Sequence, residues 1–203
     1  EWLTVFGPRF NIGVTWVDAT DIEAYKAAIQ TNTRLLYAES PSNPTMRLTD
    51  LEALGALSLE QMGRTACVVD STFATPYHVN PLSFPGIDAV IHSATKYMGG
   101  HSDLTAGTVS ANDGQLLQNL GKASKLFGGP LPAMDSYLLA RGLKTLDVRM
   151  ERHARNAMVV AEFLEGHPAV IATHYPGLKA HPDHEIATRQ FRAGSGYGGM
   201  LSF

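Results

Sequence analysis

An α/β fold with a mostly parallel sheet, followed by the start of a smaller α+β region, is the fold class this sequence predicts. Two observations carry the prediction. Short β-branched runs alternate with stretches of helical periodicity, the pattern of βαβ units. After Pro132 the pattern turns mostly helical, with one apolar-striped stretch long enough to bridge two domains.

The elements follow in order. Val14–Val17 reads as a strand. Thr20-Asp-Ile-Glu23 matches a capping box, with Thr20 as N-cap, and opens a helix to about Ile29. Arg34–Ala38 reads as the next strand and runs into a polar, Pro-rich turn, Glu39 to Pro44. Thr49-Asp-Leu-Glu52 is a second capping box, starting a helix that reaches about Met62. Further strands are expected at Ala66–Val69, Ala89–His92 and Gly107–Ser110. Helices are expected at Ser136–Leu143 and Leu146–Leu164, and a strand-and-loop region from about Val170. The expected division is a large domain over 1–147, then a linking helix and the beginning of a C-terminal domain over 148–203.

Composition narrows the function classes. The chain has 203 residues, 44% hydrophobic and 17% charged, with a net charge of −3. No basic block is present, which argues against nucleic acid and anionic membranes as partners. No run of 18 apolar residues or signal peptide is found. The single cysteine, Cys67, lies in an apolar run and reads as a small buried hydrophobe, consistent with a cytoplasmic protein. Glu1 stands where an initiator methionine would, and the last residues, Gly199–Phe203, read as a strand just beginning. The sequence therefore reads as a piece of a longer protein.

In parallel α/β sheets ligands gather at the carboxyl ends of strands. Three polar clusters fall there: Asn43, then Asp70 to Thr72, then Ser93 to Lys96. Taken alone, Asp70 suits a turn cap as well as a ligand group, and Ser93 and Thr95 suit turns as well as an anion site. Together they offer an amine, a carboxylate and hydroxyls on one edge. That set meets the needs of a pyridoxal 5′-phosphate (PLP) site: a lysine for the Schiff base, a carboxylate to keep the pyridine nitrogen protonated, and donors for the phosphate.

The segments Glu39–Pro44, Val68–Tyr77 and His92–His101 resemble the Cys/Met-metabolism, or trans-sulfuration, PLP enzymes. The resemblance continues through Tyr137–Leu146, Arg149–His153, Tyr175–Leu178, His181–Glu185 and Gly198–Phe203. It implies the large domain of a PLP-dependent transferase of the aspartate-aminotransferase-like fold type I. It also implies that Lys96 is the Schiff-base lysine and that Asp70 pairs with the pyridine nitrogen. Ser93 and Thr95 would bind phosphate, Thr72 would support the ring, and Asn43 would lie near the cofactor's phenolic oxygen. Ser71 departs from the asparagine usual in the family, which leaves the support of Asp70 open. A tyrosine–arginine pair from a neighbouring subunit, a stacking tyrosine and a carboxylate-binding arginine are implied outside this sequence, together with a homodimer or homotetramer that shares its site.

The implied activity is a PLP-dependent C–S lyase acting by γ-elimination on cystathionine or a related sulfur amino acid. A γ-replacement enzyme on a homoserine ester is the alternative, and a non-catalytic module that retains the fold is the third. Other signals are set aside. Gly194–Gly199 fits G-x-G-x-x-G but does not link a strand to a helix, and Gly121–Ser124 lacks P-loop spacing. His181 and His184 read as loop histidines, His101 as a structural residue or one near the site, with the structural role favoured, and Arg149, Arg152 and Arg155 as solvated or interface charges.

Overall fold

The computed structural model describes residues 2–63 and 65–203. Four strands, β1 (Leu35–Glu39), β2 (Ala66–Asp70), β3 (Ala89–Ser93) and β4 (Gly107–Ala111), form one sheet in sequence order. β1, β2 and β3 are parallel, and β4 returns antiparallel on β3. The helices are α1 (Trp2–Val5), α2 (Ile22–Ala28), α3 (Leu51–Glu60), α4 (Thr75–His78), α5 (Gly114–Phe127), α6 (Ala133–Leu143), α7 (Leu146–Glu165) and α8 (His184–Gln190). This is an α/β fold with a mostly parallel sheet. No helix among the described residues is long and apolar enough to cross a membrane.

Side chains alternate across a strand, so the sheet has two distinct faces. Leu36, Ala38, Cys67, Val69, Val90 and His92 point to one face and are all buried. The core on that side is completed by Leu51, Leu54 and Leu57 of α3, Tyr25 of α2, and Ala187 and Phe191 from the C-terminal segment. Cys67 is fully buried, and burial pushes its thiol up to about 12.

That C-terminal segment is fastened to the loop after β1 by a polar dock. Arg47 grips Asp183 through two bonds, Nε to Oδ2 at 2.6 Å and Nη2 to Oδ1 at 3.1 Å, and the Leu48 N–H adds a third at 2.8 Å. Gln190 accepts from the Leu51 N–H at 2.6 Å and donates to Thr49 O at 3.1 Å. Such forked, charge-assisted bonds fix geometry as well as energy, so the dock braces the loop that contains Asn43.

The structure departs from the sequence expectations at several elements. Val14–Val17 is not a strand: Trp16 is 72% exposed, and no neighbouring strand pairs with it. β-Branched residues favour extended backbone, but a strand also requires a partner ladder. Thr20 is not the cap of α2, because the Asp18 carboxylate takes both its N–H and its hydroxyl, at 2.9 and 2.8 Å. Asp21 caps instead, accepting from the Ala24 N–H at 3.1 Å. In α3 the cap is likewise the aspartate, Asp50, while Thr49 is buried among the core side chains. The region after Val170 contains α8 and one isolated bridge, His174 with Ser202, in place of regular strands.

Candidate active site

The carboxyl ends of β2 and β3 are joined by side chains. Asp70, the last residue of β2, accepts at Oδ1 from the Thr72 N–H at 3.0 Å and from the Thr72 hydroxyl at 2.5 Å. The Thr72 oxygen in turn accepts the Ser93 N–H at 2.8 Å. The Ser93 carbonyl receives the Lys96 N–H at 3.1 Å, closing the turn after β3. Three consecutive bonds thus run from the carboxylate to the lysine backbone. On its other oxygen, Asp70 accepts from the Tyr37 hydroxyl at 3.2 Å. Strand register explains that contact: Glu39 lies opposite Asp70, and Tyr37 shares the face of Glu39 two residues earlier.

The remaining expected site residues are placed as follows. The Ser93 hydroxyl and Lys96 Nζ have no hydrogen-bond or ion-pair partner among the described residues, and Lys96 is exposed. The Thr95 hydroxyl accepts the Ala106 N–H at 3.1 Å and donates to the Ala106 carbonyl at 3.3 Å. The donated bond is the long one, so the proton that an anion would take is weakly held. Asn43 is exposed in the loop after β1, where both Ser40–Pro41 and Asn43–Pro44 are cis. That loop is tied to the site through the Ser40 N–H, which donates to Asp70 O at 3.0 Å. No hydrogen bond links the Asn43 side chain to the other five residues.

Electrostatics mark the same edge. Desolvation, then the Asp70 charge, push the Tyr37 phenol well above its ordinary value, so it stays a donor to Asp70. Glu39 is raised by partial burial and then by Asp70. Buried His92 is lowered by desolvation, with Asp70 opposing. The carboxyl groups of Glu39 and Asp70 thus share one face at the strand ends, and His92 lies on the covered face behind them.

A PLP molecule fits this donor set. Asp70 is held by donors on both oxygens yet remains partly accessible, Lys96 is uncommitted, and the Ser93 hydroxyl is free to donate. Ser71, in contrast, is fully buried, and its hydroxyl has no partner. Support of Asp70 comes from Thr72 and Tyr37.

Comparison with known proteins shows the family. The profile of the family described as Cys/Met metabolism PLP-dependent enzyme matches residues 1–203. The chain belongs to that family. Pyridoxal phosphate is the cofactor of the Cys/Met metabolism enzymes, and among the most similar relatives four reactions, cystathionine gamma-lyase included, appear with near-equal likeness. A cystathionine gamma-synthase of Mycobacterium leprae is 45% identical over 194 residues, covering 96% of this chain and 48% of the relative. An L-methionine gamma-lyase of Fusobacterium nucleatum subsp. polymorphum is 44% identical, with coverage of 96% and 48%. A cystathionine beta-lyase of Lactococcus lactis subsp. cremoris is 45% identical, with coverage of 92% and 48%. The solved cystathionine gamma-lyase from Lactobacillus plantarum, complexed with L-serine, superposes with a TM-score of 0.92 at 38% identity, over 98% of this chain and 51% of that one. The chain thus spans about half the length of the relatives it matches.

Sequence reasoning missed Tyr37 and Arg149. Tyr37 was legible in principle from the alternation of β1 once Glu39 and Asp70 are set side by side. Arg149 was read as a solvated or interface charge. It is half-buried and donates to the backbone carbonyls of Tyr97 and Gly142 at 2.7 and 2.8 Å. Nothing in the spacing of α7 signals those partners. His101 donates Nδ1–H to Gly99 O at 2.7 Å. His181 and His184 bond to the carbonyls of Thr45 and Pro176, and no metal-binding group of His, Cys, Asp or Glu occurs among the described residues.

Proposed function

We propose that the protein is a PLP-dependent C–S lyase of sulfur amino-acid metabolism, acting by γ-elimination on cystathionine or a related substrate. The single observation that carries this reading is the bond chain from Asp70 through Thr72 and Ser93 to the Lys96 turn. Residues 1–147 are the cofactor-binding part, and 148–203 contribute the linking helix and the start of a C-terminal domain.

The cofactor, when bound, supplies a covalent handle for the substrate amine and an electron sink for charge developing at Cα. Lys96 Nζ is the amine that holds it. With the cofactor bound, Lys96 Nζ would also be the group that takes the Cα proton and returns a proton to the product. The Asp70 carboxylate would keep a proton on the ring nitrogen, because an adjacent negative charge favours the protonated ring. Thr72 and Tyr37 hold that carboxylate in place. The hydroxyls of Ser93 and Thr95 would donate to the phosphate, Thr72 would support the ring, and Asn43 would serve the phenolic oxygen.

A second reading, γ-replacement on a homoserine ester, is favoured by the likeness to a cystathionine gamma-synthase at 45% identity. Both readings use the same six residues. The active site is proposed to be shared within a homodimer or homotetramer, in a cytoplasmic protein whose one cysteine is buried and reduced.

The test uses the full-length enzyme. Incubation with cystathionine, and separately with an acylhomoserine plus a thiol, is followed by product identification. 2-Oxobutyrate, ammonia and cysteine from cystathionine support the γ-lyase, pyruvate with homocysteine would contradict it, and a new thioether supports replacement. Lys96→Ala is expected to abolish the visible absorbance of lysine-bound cofactor and to lower turnover at least about a thousandfold. Near-normal turnover in that variant would refute the assignment.

A further inference from the structure

The turn that carries Lys96 is pressed against the helices behind it. A Cβ added to Gly142 of α6 would lie 2.3 Å from Gly99 O and 2.9 Å from Met98 O, and one added to Gly99 would lie 2.9 Å from Ala94 O. Backbone meets backbone here with no room for a side chain. At Gly100, where φ is +73°, a Cβ would lie 2.2 Å from Arg149 Nη1. Glycine suits the left-handed conformation there, and any Cβ would force the guanidinium to shift.

Arg149, in the first turn of α7, fills the joint. Its Nη1–H donates to Tyr97 O at 2.7 Å, its Nη2–H to Gly142 O at 2.8 Å, and its Nε–H to Thr145 Oγ1 at 3.1 Å. No carboxylate pairs with it among the described residues. A half-buried guanidinium committed to two carbonyls and a hydroxyl is an unusual use of charge, since most arginines are solvated or paired. Tyr97 directly follows Lys96, and the Gly100 N–H closes the turn on Lys96 O at 2.8 Å. Arg149 and Lys96 also border one cavity of about 480 Å³, with Thr95, Ser102, Thr105 and His153 on its wall.

We propose that Arg149 is a positioning residue for Lys96: its forked hydrogen bonds clamp the Tyr97 carbonyl to Gly142 and so fix the backbone from which Lys96 projects. The inference rests on the reading of Lys96 as the cofactor lysine. The planar fork is needed because one ammonium group cannot reproduce the paired geometry to both carbonyls. The fixed turn keeps Nζ within reach of both the bound cofactor and the Cα proton, where small misplacements cost rate.

The test compares Arg149→Ala, Arg149→Lys and Gly142→Ala with wild type in the full-length enzyme, using three readouts: cofactor release rate, the separate values of kcat and KM, and hydrogen exchange of the Gly99 and Gly100 amides in the cofactor-free protein. In Arg149→Ala, exchange at both amides and cofactor release are expected to accelerate roughly tenfold or more, with the loss of activity falling on kcat. Arg149→Lys is expected to lie between it and wild type. Gly142→Ala, whose Cβ would displace the neighbouring Met98 and Gly99 carbonyls of the same turn, is expected to change all three readouts in the same direction. A purely structural arginine would lower the melting temperature and leave exchange at Gly99 and Gly100, release and kcat at wild-type values below the transition. That result overturns the proposal. Should Arg149→Ala not fold, wild-type release and exchange in Arg149→Lys overturns it equally. Failure of the Lys96 reading is separable: Lys96→Ala would then keep the visible band, while amide exchange would still report whether Arg149 clamps the turn.

Discussion

The two faces of the sheet divide the molecule's tasks. On one, Leu36, Ala38, Cys67, Val69 and Val90 are buried under α2, α3 and the C-terminal segment. On the other, Tyr37, Glu39, Asp70 and Ser93 gather at the strand ends, and Leu35, Tyr37 and Val109 stay more than 40% exposed. Val69 and Asp70 are neighbours in sequence and opposite in duty. The difference teaches that one strand serves stability and chemistry at once because its side chains alternate with a period of two.

Substitutions on the two faces should therefore separate stability from turnover. The largest expected effect lies on the covered side. Leu54→Ala, at a fully buried position of α3, should cost about 3 kcal/mol in denaturant unfolding, with kcat close to wild type in the protein that remains folded. A parallel loss of kcat would break the division.

Of comparable size is an effect of pH on the buried side. His78 is fully buried against Ser195 and Phe191, and desolvation, then Arg192, lower it from 6.5 to about 4. Its neutral form is the one the fold accepts. Between these values the unfolded chain binds the proton and the folded chain does not, so stability rises with pH. The contribution is complete above pH 6.5 and is lost as pH falls toward 4, about 3 kcal/mol in total. Unfolding curves across that range check it, and His78→Phe should flatten the dependence.

On the open face, Asp70→Asn should lower turnover about a hundredfold or more while shifting the melting temperature by only a few degrees. Smaller still is Tyr37→Phe, which removes one donor from Asp70. About 1 kcal/mol is expected, or a several-fold fall in kcat/KM, with the fold unchanged. If Tyr37→Phe proved as damaging as Asp70→Asn, the phenol would have a role beyond holding the carboxylate.

The covered face was the more legible part of the fold. Runs such as Ala66–Val69 carry their strand character in branched, apolar side chains, and the structure places β2 there with one more residue, Asp70. Caps were legible only in part, because Thr20 and Thr49 each precede an aspartate that competes for the same N–H groups, and a carboxylate is the stronger acceptor. α5 was not foreseen. Its glycines and polar residues weaken the helical signal, and none of its residues is buried. In the site, Asp70, Thr72 and Ser93 were readable as strand-end polar residues, and the structure joins them. The Arg149 contacts were not readable, since they depend on backbone carbonyls 52 and 7 residues away in sequence.

The central claim is that Lys96 holds the cofactor. Borohydride reduction of the full-length, PLP-loaded enzyme, followed by peptide mass mapping, tests it most directly. The account predicts a pyridoxyl adduct on the peptide containing Lys96 and on no other lysine. An adduct on a different lysine, or a reduced protein with none, would contradict it.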